Sequence, residues 1–163
     1  KFDADIISCV VPLKNNSGIT STAIDTDPWR PRRFTIRELS QLPETFDDED
    51  VPWAAGRGLL VNTGCWVCRF DQKWVEEVCF QVQNEIHWTF PDGADHPVAV
   101  ERSESEDWGF SRFANDCNLR VMATSKVRLT HVGIAPFPNY GQWGQMQDDD
   151  NINAAGVELN RNE

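Results

Sequence analysis

The sequence contains no apolar run near the roughly 20 residues that cross a bilayer as a helix. It also has no Walker phosphate loop, no dinucleotide glycine fingerprint and no internal repeat. Cations are scarce: 15 Lys and Arg stand against 26 Asp and Glu, a formal net charge of −11. A chain this acidic is repelled by phosphate backbones and anionic lipid surfaces, which argues against nucleic acid as a partner. Cysteine is present but odd in number, at five, and no secretory leader pattern precedes it. Cys65-x-x-Cys68, with Cys79, Cys117, His87 and His96, completes no recognisable zinc spacing. These features read as reduced, structural thiols in a cytoplasmic setting. The chain opens at Lys1 almost directly on a strand-like run, which reads as a truncation.

What is present suffices for one domain. The 163 residues are 40% apolar, with seven Trp and nine Phe, so a core can form and disorder throughout is excluded. The acidic blocks Asp47-Asp48-Glu49-Asp50 and Asp148-Asp149-Asp150 read as solvated loops.

Asp5 to Val11 reads as a strand rich in β-branched residues, ended by Pro12. Residues 12–56 read as a long loop region carrying Pro28, Pro31, Pro43 and Pro52, with one short helix over Thr35 to Leu42. Gly58 to Cys68 reads as one strand region, followed by a short helix opened by Asp71. Ile86 to Phe90 alternates as a strand before the turn Pro91-Asp92-Gly93. The next helix has its apolar stripe at Phe110, Phe113, Ala114 and Cys117, a capping box from Ser103 to Glu106, and Asn118 as a left-handed stop. Two strands follow, Leu119 to Ala123 and Lys126 to His131. Residues 1–138 form the domain, and from Asn139 to residue 163 the pattern is that of a polar, flexible tail. The class expected is α/β, a mixed β-sheet with helices packed on it.

Three segments could carry chemistry. Glu106 and Asp107 fall at a helix start, where carboxylates either cap the helix or, at a cleft mouth, act as a general base. Asn62-Thr63-Gly64-Cys65-Trp66 places a glycine where backbone and ligand can approach closely, with Trp66 either stacking on a sugar ring or packing in the core. His131 ends a strand face with Val127 and Leu129; such a residue is usually a satisfied core histidine, though a neutral imidazole there can ligate Mn²⁺.

Taken in order, these segments resemble one family. Gly58 to Val61 followed by Asn62-Thr63-Gly64-Cys65-Trp66-Val67 and a helix opened by Asp71 is similar to the "G-T-G-C, then helix" segment of GT-A glycosyltransferases of the family-2 kind. Glu106-Asp107-Trp108-Gly109-Phe110 resembles their "E-D-x-x-F" segment. Val127 to Gly133 resembles the "strand, then H-x-G" that follows, and Ala4 to Ser8 the strand shortly after the donor half. The resemblance spans roughly residues 4 to 133. It implies a metal-assisted sugar transfer from a nucleotide-sugar donor to the hydroxyl of a glycan or other acceptor. Asp107 is then the catalytic base of an inverting enzyme with Glu106 beside it. Thr63, Gly64, Cys65, Trp66 and Trp108 lie at the substrate, and His131 helps to bind Mn²⁺ or Mg²⁺. The family's Asp-x-Asp motif has no counterpart in context: Asp3-Ala4-Asp5 itself opens a strand, and Asp25-Thr26-Asp27 runs into Pro28. The resemblance therefore implies a partial GT-A fold without the N-terminal nucleotide-binding half. The alternative is a non-catalytic carbohydrate- or protein-binding module derived from that fold.

Overall fold

A computed structural model describes residues 3–27, 31–54, 56–90, 93 and 95–144. The chain is a mixed α/β protein, mostly strand, in several small sheets with few helices. The elements run β1 (Ile6–Cys9), β2 (Ile19–Ile24), β3 (Arg32–Thr35), α1 (Ile36–Leu39), β4 (Thr45–Phe46), a 3₁₀ turn (Asp48–Asp50), β5 (Leu59–Leu60), β6 (Trp66–Cys68), α2 (Gln72–Val75), β7 (Gln83–Thr89), β8 (Val98–Glu104), α3 (Glu106–Asp116), β9 (Val121–Thr124), β10 (Thr130–Val132) and β11 (Pro136–Pro138). Among the described residues no helix is long and apolar enough to cross a membrane.

The central sheet has the order β4–β9–β1–β6. β1 runs parallel to β9 and antiparallel to β6, while β4 runs antiparallel to β9. A second, antiparallel sheet has the order β3–β2–β5. The core lies among these two sheets and α3 and includes Ile6, Val10, Ile24, Phe34, Phe46, Leu59, Val61 and Phe110, all fully buried. Phe34 and Phe46 meet edge to face with centroids 5.7 Å apart, joining β3 to β4.

Several sequence expectations change here. The 12–56 segment is loop-rich but not only loop. It supplies β2, β3 and β4, and its buried polar residues Thr20 and Thr22 sit inside strand β2, where β-branched side chains fit the pleat. Gly58 to Cys68 is two strands in different sheets, parted by a turn at 62–65. The acidic block at 47–50 is built into the structure. The buried carboxylate of Asp47 caps the 3₁₀ turn through the Glu49 amide and accepts from Arg120 Nη2 at 2.9 Å. Asp48 Oδ2 accepts from the Gly56 amide at 2.9 Å. The second acidic block, 148–150, lies outside the described residues, as do Pro91 and Asp92 of the expected turn.

The capping box expected at Ser103 and Glu106 is absent because β8 runs on to Glu104, which makes Ser105 the N-cap. True boxes form at Thr35/Glu38 and Asp47/Asp50. Of the expected stripe on α3, Phe110 and Ala114 are buried, Phe113 is half-buried, and Cys117 is exposed at the C-cap. Asn118 does stop the helix. At φ +55° it occupies the left-handed region, its amide bonds to Asn115 O at 2.9 Å and the Leu119 amide bonds to Ala114 O at 3.0 Å, a Schellman closure.

The strand expected over Lys126 to His131 is shorter and stands apart from the central sheet, as β10 paired only with β11. Asn139, read from sequence as the first tail residue, is buried. Its Nδ2 donates to Val10 O at 3.0 Å and Val127 O at 2.9 Å, and its Oδ1 accepts from the Leu129 amide at 3.0 Å. Residues 140–144 continue from there, with Gly144 O accepting from Arg37 Nε at 3.0 Å.

Candidate functional site

The C-terminal end of β1 gathers the segments of interest, the kind of place where open α/β sheets put their ligands. β5 ends at Leu60, and the chain turns through Asn62 to Cys65 before re-entering the central sheet as β6. Asn62 Oδ1 accepts from the Gly64 amide at 2.7 Å, closing an Asx-type turn. A Cβ at position 64 would come 2.8 Å from Asn62 Oδ1, so a side chain there would push the Asn62 amide out of its present place. The turn is also tied to β1: the Ser8 hydroxyl donates to Asn62 O, and the Cys9 amide donates to Cys65 O at 2.8 Å.

Asp107 sits in the first turn of α3, half-buried, yet its carboxylate does not cap its own helix. It reaches across to the 62–65 turn. Oδ1 accepts from the Thr63 amide at 3.0 Å and from the Thr63 hydroxyl; Oδ2 accepts from Asn62 Nδ2 at 2.9 Å. Ser111, one helical turn on and fully buried, donates to Asp107 O at 2.8 Å and accepts from the Val61 amide at 3.0 Å. The helix start and the strand end are thus locked together by four hydrogen bonds, made through the side chains of Asn62, Thr63, Asp107 and Ser111.

A carboxylate offers about four lone-pair sites. Three at Asp107 are filled by the turn, and one, on Oδ2, has no partner among the described residues. The group is therefore fixed in position while keeping one site for an incoming O–H or N–H.

The other expected site residues are placed as follows. Glu106 is exposed beside Asp107, and Gly64 and Cys65 are exposed on the turn. Trp66 is half-buried in an aromatic cluster, its ring centroid 4.9 Å from that of Phe110. Trp108 is buried: its Nε1 donates to Ser21 O at 3.0 Å, and the Arg33 guanidinium lies 4.2 Å over its ring. Burial holds the Arg33 pKa down, to about 10. Trp108 is thus a packed residue, whereas Trp66 keeps part of its ring exposed. Asn62, Ser111 and Ser8 are the positions that hold Asp107 and its turn in place without being among the site residues the motifs single out. Only Asn62 carried a local signal, as an Asn two residues before a Gly at a strand end.

His131 is half-buried on β10 and its Nδ1 lies 2.8 Å from Pro12 O, just beyond β1. A carbonyl only accepts, so in the neutral ring Nδ1 carries the proton and Nε2 keeps its lone pair. That is the arrangement in which histidine ligates metals, with a backbone carbonyl fixing the tautomer. It offers one ligand: among the described residues no group of three or more His, Cys, Asp or Glu could hold a metal ion. His131 bonds Pro12, three residues beyond β1, whereas Asp107 bonds the 62–63 turn.

Comparison of the chain with protein-family models, with curated proteins and with solved structures returned no match.

Proposed function

We propose that the chain is the acceptor-side, C-terminal portion of a GT-A-type glycosyltransferase, transferring a sugar from a nucleotide-sugar donor to the hydroxyl of a glycan or other acceptor. The observation that carries this reading is Asp107, held by Asn62 and Thr63 with one acceptor site left open. A general base has to be within hydrogen-bond reach of the proton it takes and fixed in orientation. Here the acceptor O–H would bond the open site on Oδ2. As its oxygen forms the bond to the anomeric carbon and the bond from that carbon to the diphosphate breaks, the proton passes to Asp107. Gly64, without a side chain, leaves room for the transferred sugar or acceptor beside the carboxylate, and exposed Glu106 adds negative charge at the same edge. A divalent ion, Mn²⁺ or Mg²⁺, supplies neutralisation of the leaving diphosphate when bound. Nε2 of His131 is the ligand this chain would give it. In this reading the donor nucleotide is held mainly by groups that these 163 residues do not include.

A second reading, a non-catalytic carbohydrate- or protein-binding module, is favoured by the β7–β8 hairpin. Ile86, Trp88 and Phe90 stand 67%, 68% and 71% exposed there. Contiguous apolar surface of this kind commonly marks a binding site. Amide NMR titration separates the two. The transferase reading predicts shifts at Thr63, Gly64 and Cys65 when nucleotide-sugars are added with Mn²⁺. Shifts confined to residues 86–100 on adding glycans, with no response to nucleotide-sugar or Mn²⁺, would favour the binding module.

A further inference from the structure

We propose that Cys9 and Cys65 form a reversible disulfide, making a thiol–disulfide site at the turn that holds Asp107. Their Sγ atoms lie 3.4 Å apart. The β1–β6 ladder pairs Ser8 with Trp66, so its next step sets Cys9 opposite Cys65, and the Cys9 amide bonds Cys65 O at 2.8 Å. Directly opposed residues of an antiparallel pair have Cα atoms about 4.5–5.5 Å apart. That spacing falls inside the roughly 4.4–6.8 Å range that a disulfide bridges, so closure needs side-chain rotation and no backbone shift. The pairing is specific. Cys68 pairs with Ile6, three residues from Cys9 along β1, so it stands away from the Cys9–Cys65 contact despite the Cys-x-x-Cys spacing. Cys117 is at the far end of α3.

The two thiols divide the chemistry by exposure. Cys65 is exposed, whereas Cys9 is buried. Burial first, and then the neighbouring Cys65 sulfur, push the Cys9 pKa up to about 11, so Cys65 is the thiol that meets an oxidant. With a small disulfide such as oxidised glutathione, the Cys65 thiolate attacks one sulfur, forms a mixed disulfide and expels one glutathione thiolate. Cys9 then loses its proton to water and attacks Cys65 Sγ, expelling the second. Two protein thiols give up two protons and two electrons, and the reagent's S–S bond is reduced to two thiols. The product joins β1 to the exit of the turn, whose entry is already tied by Ser8 to Asn62 O. Both ends of the segment presenting Gly64 are then fixed, whether or not Asp107 acts as a base.

The test is incubation of the full chain with excess oxidised glutathione, followed by non-reducing digestion, mass spectrometry and amide hydrogen exchange. Expected is an intramolecular Cys9–Cys65 peptide lighter by two hydrogen atoms, lost on adding reductant and unchanged in Cys68→Ser. Exchange at Thr63 to Cys65 should slow by about tenfold in the oxidised form. Cys9→Ser should stop at a Cys65–glutathione adduct. Persistence of that adduct in the wild type with Cys9 free, or a bond from Cys65 to any other cysteine, would overturn the proposal.

Discussion

Replacing Asp107 by Asn tests how firmly the helix start is bound to the 62–65 turn. The amide oxygen can keep the two Thr63 donors, but the new NH₂ then faces Asn62 Nδ2 across 2.9 Å, donor against donor. Asn62 cannot turn its amide over without withdrawing the Oδ1 that the Gly64 amide bonds at 2.7 Å. One hydrogen bond is lost whichever way the pair settles, and the remaining ones lose their charge. A hydrogen bond to a charged group contributes about 1.5–3 kcal/mol net. Asp107 is half-buried, so water offsets part of this, and the expected loss is about 2 kcal/mol. For a chain of this size that corresponds to a Tm lowered by about 4–8 °C. Urea unfolding followed by tryptophan fluorescence should show a lower midpoint at unchanged slope. In Thr63→Ala the Asp107→Asn substitution should cost less, a coupling of about 1 kcal/mol, because the two share bonds. A loss under about 0.5 kcal/mol with additive double-variant behaviour would refute the lock between α3 and the turn.

Gly64→Ala should lower stability by about 1–2 kcal/mol and should also be non-additive with Asp107→Asn, since its Cβ displaces the Asn62 side chain that holds Oδ2; a double-mutant cycle in urea checks this. Ser111→Ala removes the acceptor of the Val61 amide in a fully buried setting and should cost about 1–3 kcal/mol by the same unfolding measurement. Asn139→Ala leaves three backbone groups without its side chain, of which Val10 O is in a buried setting, and should cost about 1–3 kcal/mol, with faster amide exchange at Leu129. The Cys9 thiol has its pKa raised from 9.0 to about 11, chiefly by burial. The unfolded chain therefore releases that proton first, and stability present below about pH 9 should decline as pH rises towards about 11. In Cys9→Ala the decline over that window should be smaller, as read from urea midpoints.

The parts legible in the sequence were those whose signals are local. The helix with its Asn118 stop depends on residues within a few positions, and it formed, whereas the turn at Asn62 to Gly64 falls inside a stretch that reads as one strand region. β2 was read as loop because Thr20 and Thr22, buried at 0% exposure, look polar in sequence. Only the pairing with β3 and β5 makes a strand of that segment. β8 was missed because Glu101, Arg102, Ser103 and Glu104 break the apolar alternation. The hairpin with β7 is held by backbone bonding that side-chain periodicity does not report. At the site, the sequence offered Asp107, Gly64 and His131 as separate motifs. That Asp107 bonds the turn 44 and 45 residues away, and that Cys9 meets Cys65 across 56 residues, depends on strand register, which no spacing rule carries.

The central claim is that Asp107 takes the acceptor proton in sugar transfer. Its most direct test is a transfer assay on a polypeptide carrying this chain with its native flanking sequence. The assay uses a panel of nucleotide-sugars with Mn²⁺ and glycan acceptors, and compares wild type with Asp107→Asn under conditions where both are folded. The account predicts a measurable wild-type rate that falls by about 10²- to 10⁴-fold in the variant, the usual contribution of a positioned general base. An Asp107→Asn rate equal to that of the wild type would contradict it.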